Sequence, residues 1–285
     1  MLDFLRKKRI KNIESVSETL LYKESNFVAN EAYKLLRTNI SFTLPDTGKC
    51  RIIGITSAIR GETKSTTSIN LSYVLAQTNK RVLLIEADLR LPSIAKKMEI
   101  SGAPGLSDAL ITAEGDTSAI KTLSLENWHV LVSGSIPPNP SEMLGSPQMG
   151  AYLKKLAESY DFIIVDLPPV NLVSDALAIS SYLDGMIVVV RCNYSERREL
   201  NKCLKSLELA QVKVLGITMT SKRSESSSYS RYKKYRKGGY YHSSGYYAKS
   251  PYYSSSSKSK LPEAPVSNSA PENTEEAQPS KDTKE

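Results

Sequence analysis

Six short apolar runs constrain this chain more than any other feature: RIIGIT from residue 51, RVLLIEAD from 81, WHVLVSG from 128, FIIVDLPP from 162, GMIVVVR from 185 and VLGITM from 214. They are β-branched and continuous rather than alternating, the pattern of strands buried on both faces. Helix-period stretches separate several of them: TTSINLSYVLAQT after the first, MGAYLKKLAESY before the fourth and ERRELNKCLKSLELA before the last. Right-handed crossovers then give an α/β fold, a mostly parallel sheet covered by helices on both faces, with ligands at the carboxyl ends of the strands. Chemistry is to be sought just after each run.

Composition matters mainly at the ends. From residue 221 onward the sequence is Ser, Tyr, Lys, Gly and Pro with almost no aliphatic residues, too little apolar surface to offset the entropy of ordering. Residues 221–285 are therefore expected to be a disordered tail, residues 1–26 a mobile arm, and residues 27–220 the folded domain. The net charge of +8 is uneven, since Lys222 to Lys260 holds ten Lys or Arg against one acid, Glu225. Such a stretch suits an anionic surface, or simply solvation. No run of about 18 apolar residues occurs, and MLDFLRKKRIKNIE lacks an apolar leader core, so a cytoplasmic location is expected. Three cysteines, Cys50, Cys192 and Cys203, lack metal-type spacing and give no support to a disulfide framework.

The first run ends in SAIRGETKST, residues 57–66, directly before a helix-period stretch. That is the place for a phosphate loop and for a P-loop NTPase fold. Ser57, Arg60, Gly61, Glu62, Thr63, Lys64, Ser65 and Thr66 are the candidate nucleotide-binding residues. Backbone N–H groups and a helix N-terminus cradle phosphate oxygens, Lys64 reaches the β- and γ-phosphates, and the Ser65 hydroxyl holds Mg²⁺. G-x-x-x-x-G-K-[ST] would need glycine at Ala58 and Thr63, so the match is partial, and alone GETKS also reads as ordinary turn chemistry. Other strand ends strengthen it. EADLRLP puts Glu86 and Asp88 after the second run with Arg90 beyond, and VDLPP puts Asp166 after the fourth. Acids at neighbouring strand ends suit one hard cation with its waters.

On these residues the sequence resembles the bacterial tyrosine kinases of capsular and exopolysaccharide synthesis, specifically their separate cytoplasmic kinase subunit. The likeness spans roughly residues 27–253: SAIRGETKSTTSINLS as Walker A, LLIEADLRLP as Walker A′, FIIVDLPP as Walker B, and a terminal tyrosine cluster. GSIPPNPSEML, PPVNLVSDA and EAYKLLRTNI add to it. The sequence departs at Thr63, where the family usually has Gly, and at Glu86, where it usually has Asp. A positive φ at Thr63 would cost about 1 to 2 kcal/mol.

The resemblance implies a kinase using ATP and Mg²⁺. Lys64, Asp88, Glu86 and Arg90 are the catalytic candidates, with Asp88 accepting or orienting the proton of the incoming hydroxyl, Glu86 in support, and Arg90 either neutralising phosphate charge or making an ion pair. Ser65, Asp88 and Asp166 are the metal candidates. The acceptors would be Tyr229, Tyr232, Tyr235, Tyr240, Tyr241, Tyr246, Tyr247, Tyr252 and Tyr253, nine of the chain's 16 tyrosines. With no aliphatic partners they do not read as core, and stacking on single-stranded nucleic acid is the competing reading. The resemblance also implies a ring-shaped homo-oligomer through Glu31, Lys34 and Arg37, and a transmembrane activator supplied in trans that recruits the kinase to the inner face of the membrane. Val28, Ala32, Leu35, Leu36 and Ile40 otherwise make an amphipathic helix with a solvated charged face. Two further readings are a partition-type ATPase that binds DNA or membrane and a weakly active nucleotide-binding scaffold.

Overall fold

A computed structural model describes residues 20–23, 26–112 and 116–221. The tail tyrosines, Tyr229 to Tyr253, lie outside the described residues. Each apolar run forms a strand: β1 (Arg51–Ser57), β2 (Val82–Glu86), β4 (Trp128–Leu131), β5 (Phe162–Asp166), β6 (Gly185–Arg191) and β7 (Val214–Thr220). These six lie parallel in the order β4-β2-β5-β1-β6-β7. The two-residue strand β3 (Lys121–Thr122) pairs antiparallel with β4 at one edge, and no apolar run announces it.

Both faces of the sheet are covered. In β2, Leu83 and Ile85 pack into one core cluster and Val82 and Leu84 into the other; in β5, Ile163 and Val165 oppose Phe162 and Ile164 in the same way. This alternate use of two faces is why the runs carry no polar period. One cover is formed by α1 (Phe27–Thr43), α2 (Lys64–Ala76) and α3 (Ile94–Met98), the other by α5 (Pro140–Leu144), α6 (Pro147–Ala157), α7 (Asp175–Ala178) and α8 (Arg197–Leu209). A short helix α4 (Leu106–Ile111) precedes β3. β7 departs from the two-faced pattern, because it is the last strand and Ile217 and Met219 remain 49% and 70% exposed.

Two expectations need correcting. The apolar stripe of α1 is rotated from Val28, Ala32 and Leu35: Tyr33, Leu36 and Ile40 face the core, whereas Leu35 is 62% exposed. The arm expected through residue 26 is docked at residues 20–23. Leu20 and Leu21 are buried, the Leu21 amide donates to Asn70 Oδ1 at 2.9 Å, and the Tyr22 ring meets Trp128 edge-on at 5.4 Å. A three-residue apolar segment is too short to show a period, which is why it escapes a sequence reading.

Candidate active site

The strand order brings three carboxyl ends together. β5 lies between β1 and β2, with Asp166 in register with Ile55 on one side and Glu86 on the other. The loop leaving β1 and the first turn of α2 therefore sit over Asp166, and the segment leaving β2 comes in from the far side. Lys64 Nζ donates to Asp88 Oδ2 at 2.8 Å and lies 3.8 Å from Asp166 Oδ2. All three side chains are nearly buried, at 12%, 9% and 1% exposure. Burial by itself lowers the Lys64 pKa, but the Asp166 and Asp88 carboxylates outweigh it and hold the amine above its ordinary value. Burial pushes the Asp166 carboxyl up, against the pull of Lys64.

The loop itself has the tight geometry a phosphate cradle requires. Gly61 has φ +80° and Thr63 φ +65°, so the positive torsion foreseen at Thr63 is present with a β-branched residue in it. Its hydroxyl hydrogen-bonds to Thr220 Oγ1 at 2.8 Å. Glu62 is buried, accepting from the Ile59 amide at 2.9 Å and from the Ser195 hydroxyl, and so braces the loop from within. Ser57 donates to Ile59 O, Ser65 and Thr66 are buried at the start of α2, and Arg60 is exposed.

Glu86 takes a different place from the one expected. Its Oε1 accepts from the amides of Ser93 and Ile94, each at 2.5 Å, and its Oε2 from that of Ser133 at 3.2 Å. Burial raises its pKa against these donors. Both oxygens are engaged by backbone, so Glu86 fastens the start of α3 to the sheet, while its charge still helps to hold the Lys64 amine protonated. Arg90 makes the ion-pair alternative, a fork on Asp175 with Nε to Oδ2 at 2.9 Å and Nη2 to Oδ1 at 3.0 Å. Glu31 and Lys34 pair with each other at 2.8 Å on α1, and Arg37 donates to Val74 O of α2 at 2.9 Å, so that cation is used within its own chain.

Four further residues reach the site: Ser68, Ser93, Arg191 and Tyr194. Ser68 donates to Asp166 Oδ1 at 3.1 Å, one helical turn after Lys64, and Ser93 donates to Ser65 Oγ at 3.0 Å. Tyr194 Oη donates to Arg60 O at 3.0 Å, while Arg191 lies over the Tyr194 ring and donates to Gly61 O at 3.0 Å. Only the i, i+4 spacing of Lys64 and Ser68 was available in the sequence to suggest the first of these.

Among the described residues no group of three or more His, Cys, Asp and Glu side chains is arranged to hold a metal. The donors nonetheless fit Mg²⁺ arriving with a nucleotide, because Asp166 Oδ2 is a buried carboxylate oxygen with no hydrogen-bond partner and the Ser65 hydroxyl is close by. No helix among the described residues is long and apolar enough to cross a membrane.

The chain is similar to known proteins in sequence and in fold. A family profile described as an AAA domain matches residues 50–216. The tyrosine-protein kinase YwqD of Bacillus subtilis strain 168 is 36% identical over 210 residues, which is 73% of this chain and 88% of that protein. The solved kinase domain of the Escherichia coli tyrosine kinase ETK superposes with a TM-score of 0.64 at 30% identity, covering 76% of this chain and 80% of that one. The septum site-determining protein MinD of Pyrococcus horikoshii, solved with Mg-ADP, is a more distant likeness, with a TM-score of 0.50, 25% identity, and 59% and 69% coverage. MinD thus shares the fold while the kinases share more of the sequence. The P-loop fold implies nucleotide binding, and identity over most of the length of a named tyrosine-protein kinase makes this chain a member of the bacterial tyrosine-protein kinase family.

Proposed function

We propose that the chain is an ATP-dependent protein-tyrosine kinase that phosphorylates the tyrosine cluster of its own C-terminal segment and regulates capsular or exopolysaccharide synthesis. The observation that carries this reading is the buried Lys64 between Asp88 and Asp166, at the mouth of a phosphate-type loop. A lysine held by two carboxylates is poised for exchange. When a triphosphate enters, Lys64 leaves Asp88 for the β- and γ-phosphates, and Asp88 Oδ2 is freed to accept the proton of a tyrosine hydroxyl. The exposed Arg60 and the loop amides meet the remaining phosphate charge.

Ser65, Asp166 and, once released, Asp88 would hold Mg²⁺. Bound with the triphosphate, the ion would neutralise charge on the transferred phosphoryl group. Transfer of this kind needs positioning and electrostatics rather than a covalent enzyme intermediate, and buried donors at the ends of rigid strands supply both.

Nine tyrosines begin eight residues beyond residue 221, and a tether of this kind would raise their concentration at the site of the same or a neighbouring subunit. Each phosphate would add nearly two negative charges to a strongly basic stretch, a change large enough to switch its partners. A homo-oligomeric ring through the α1 face, with Glu31 exposed and Lys34 half-buried on it, and a transmembrane activator acting in trans complete the proposal. The test is incubation of the purified chain with Mg-ATP, followed by phosphotyrosine mapping by mass spectrometry before and after phosphatase treatment. Phosphotyrosine between Tyr229 and Tyr253, absent from Lys64→Met, supports the reading; nucleotide binding without phosphotyrosine in the presence of an activating partner overturns it.

A further inference from the structure

The segment that leaves β2 carries Asp88 and is anchored unevenly. Glu86 ties its base to the start of α3, and the Leu89 side chain is fully buried. Beyond that point Leu91 is 50% exposed, and the next anchor is polar. Arg90 reaches out of the segment and closes its fork on Asp175, whose side chain has 0% exposure. Ser141 Oγ donates to the same Asp175 Oδ1 at 2.5 Å, lies 3.3 Å from Arg90 Nη2, and meets Ser174 Oγ at 2.9 Å. Three separate stretches, GSIPPNPSEML, LLIEADLRLP and PPVNLVSDA, therefore converge on one buried carboxylate.

An ion pair whose cation remains 41% exposed contributes little to stability. Geometric definition is what it adds, because the planar guanidinium accepts one orientation of a carboxylate. Arg90 stands two residues beyond Asp88, and the Leu91 amide between them and α3 donates to Asp88 Oδ1 at 3.1 Å. The orientation of Arg90 is thus passed to the Asp88 side chain through one short stretch of backbone.

We infer that Asp175 and Ser141, acting through Arg90, are positioning residues that set the Asp88 carboxylate for phosphoryl transfer, with no contact to nucleotide or acceptor. This rests on the kinase reading of the site. Asp175→Asn keeps the volume and removes the charge, and Arg90→Lys keeps the charge and removes the fork. In the full chain each lowers the rate of tail tyrosine phosphorylation at least tenfold while leaving the Kd for Mg-ADP, read with a fluorescent analogue, within twofold. The double variant is no slower than the slower single one, and Ser141→Ala gives a smaller loss of the same kind.

Hydrogen exchange supplies a readout independent of kinase activity. The Leu91 amide exchanges at least tenfold faster in Asp175→Asn than in the unmodified chain, with the β1 and β5 amides unchanged. The inference is overturned by unchanged Leu91 exchange, by additive losses in the double variant, or by a rate that falls only in step with nucleotide affinity and folded fraction. If the unmodified chain transfers no phosphate at all, the exchange result still decides whether the tie holds Asp88, and the missing transfer counts against the kinase reading alone.

Discussion

Replacing Thr63 by glycine sets two effects of similar size against each other. Thr63 sits at φ +65° and ψ +24°, a conformation that costs a β-branched residue about 1 to 2 kcal/mol relative to glycine. Its hydroxyl hydrogen-bonds Thr220 Oγ1 at 2.8 Å, a contact contributing about 0.5 to 1.5 kcal/mol that glycine removes. Glycine also loosens the unfolded chain, at a further cost of about 0.4 to 1 kcal/mol. The terms nearly cancel, so Thr63→Gly shifts stability by no more than about 1.5 kcal/mol, a Tm change within about 5 °C for a domain of this size. Thr63→Ala keeps the strained Cβ and loses the hydroxyl, and falls below the glycine variant by about 1 kcal/mol. Because the left-handed turn is already formed, glycine leaves the loop shape alone and changes the phosphorylation rate less than threefold. Thermal melts of the three proteins and their rates with Mg-ATP test this. An alanine variant as stable as the glycine one, or a tenfold gain in rate with glycine, would refute the reasoning and favour a scaffold weakened at this position.

Other perturbations have clear expected outcomes. Lys64→Ala leaves Asp88 and Asp166 facing each other without a cation, and costs about 3 kcal/mol of stability in a denaturant titration with chelator present and no nucleotide. Tyr22→Ala removes the edge contacts to Trp128 and Tyr73, costs about 2 kcal/mol, and shifts the emission of the single tryptophan toward the red. Burial pushes the Cys50 and Cys203 thiols up to about 12, so at pH 8 their thiolate fraction is about a thousandfold below that of an ordinary thiol. A thiol reagent should then find one fast thiol, the exposed Cys192, in the native chain and three in denaturant. The same shift makes the fold lose stability as pH rises from about 9 toward 12, where the unfolded thiols ionise and the buried ones do not.

Much of the fold was legible because continuous β-branched runs have few alternatives. Ile163 and Ile164 face opposite clusters, so both must be apolar, and the reading of a sheet covered on two sides follows from that. The convergence of Lys64, Asp88 and Asp166 was legible for a related reason, since parallel strands deliver their carboxyl ends to one edge. The backbone partners of Glu86 were not legible, because sequence places a residue at a strand end without saying where its side chain turns. One methylene longer than aspartate, it reaches the Ser93 and Ile94 amides. Asp175 and Tyr194 were hidden for a different reason, as their partners lie 85 and 134 residues away, beyond any local spacing. The exposed face of β7 was unreadable too, because an edge strand with apolar residues looks like an interior one until its neighbours are known.

In the proposed reaction one nearly buried lysine and two strand-end carboxylates move a phosphoryl group onto a tyrosine of the C-terminal segment. It is tested most directly by mixing two inactive halves. One is a chain with Phe at all nine tail tyrosines, which keeps its site; the other is Lys64→Met, which keeps its tail. With γ-labelled Mg-ATP and the activating partner present, label should enter the Lys64→Met chain as phosphotyrosine and neither protein alone should take it up. A mixture that binds nucleotide yet leaves the Lys64→Met tail unlabelled would contradict the account.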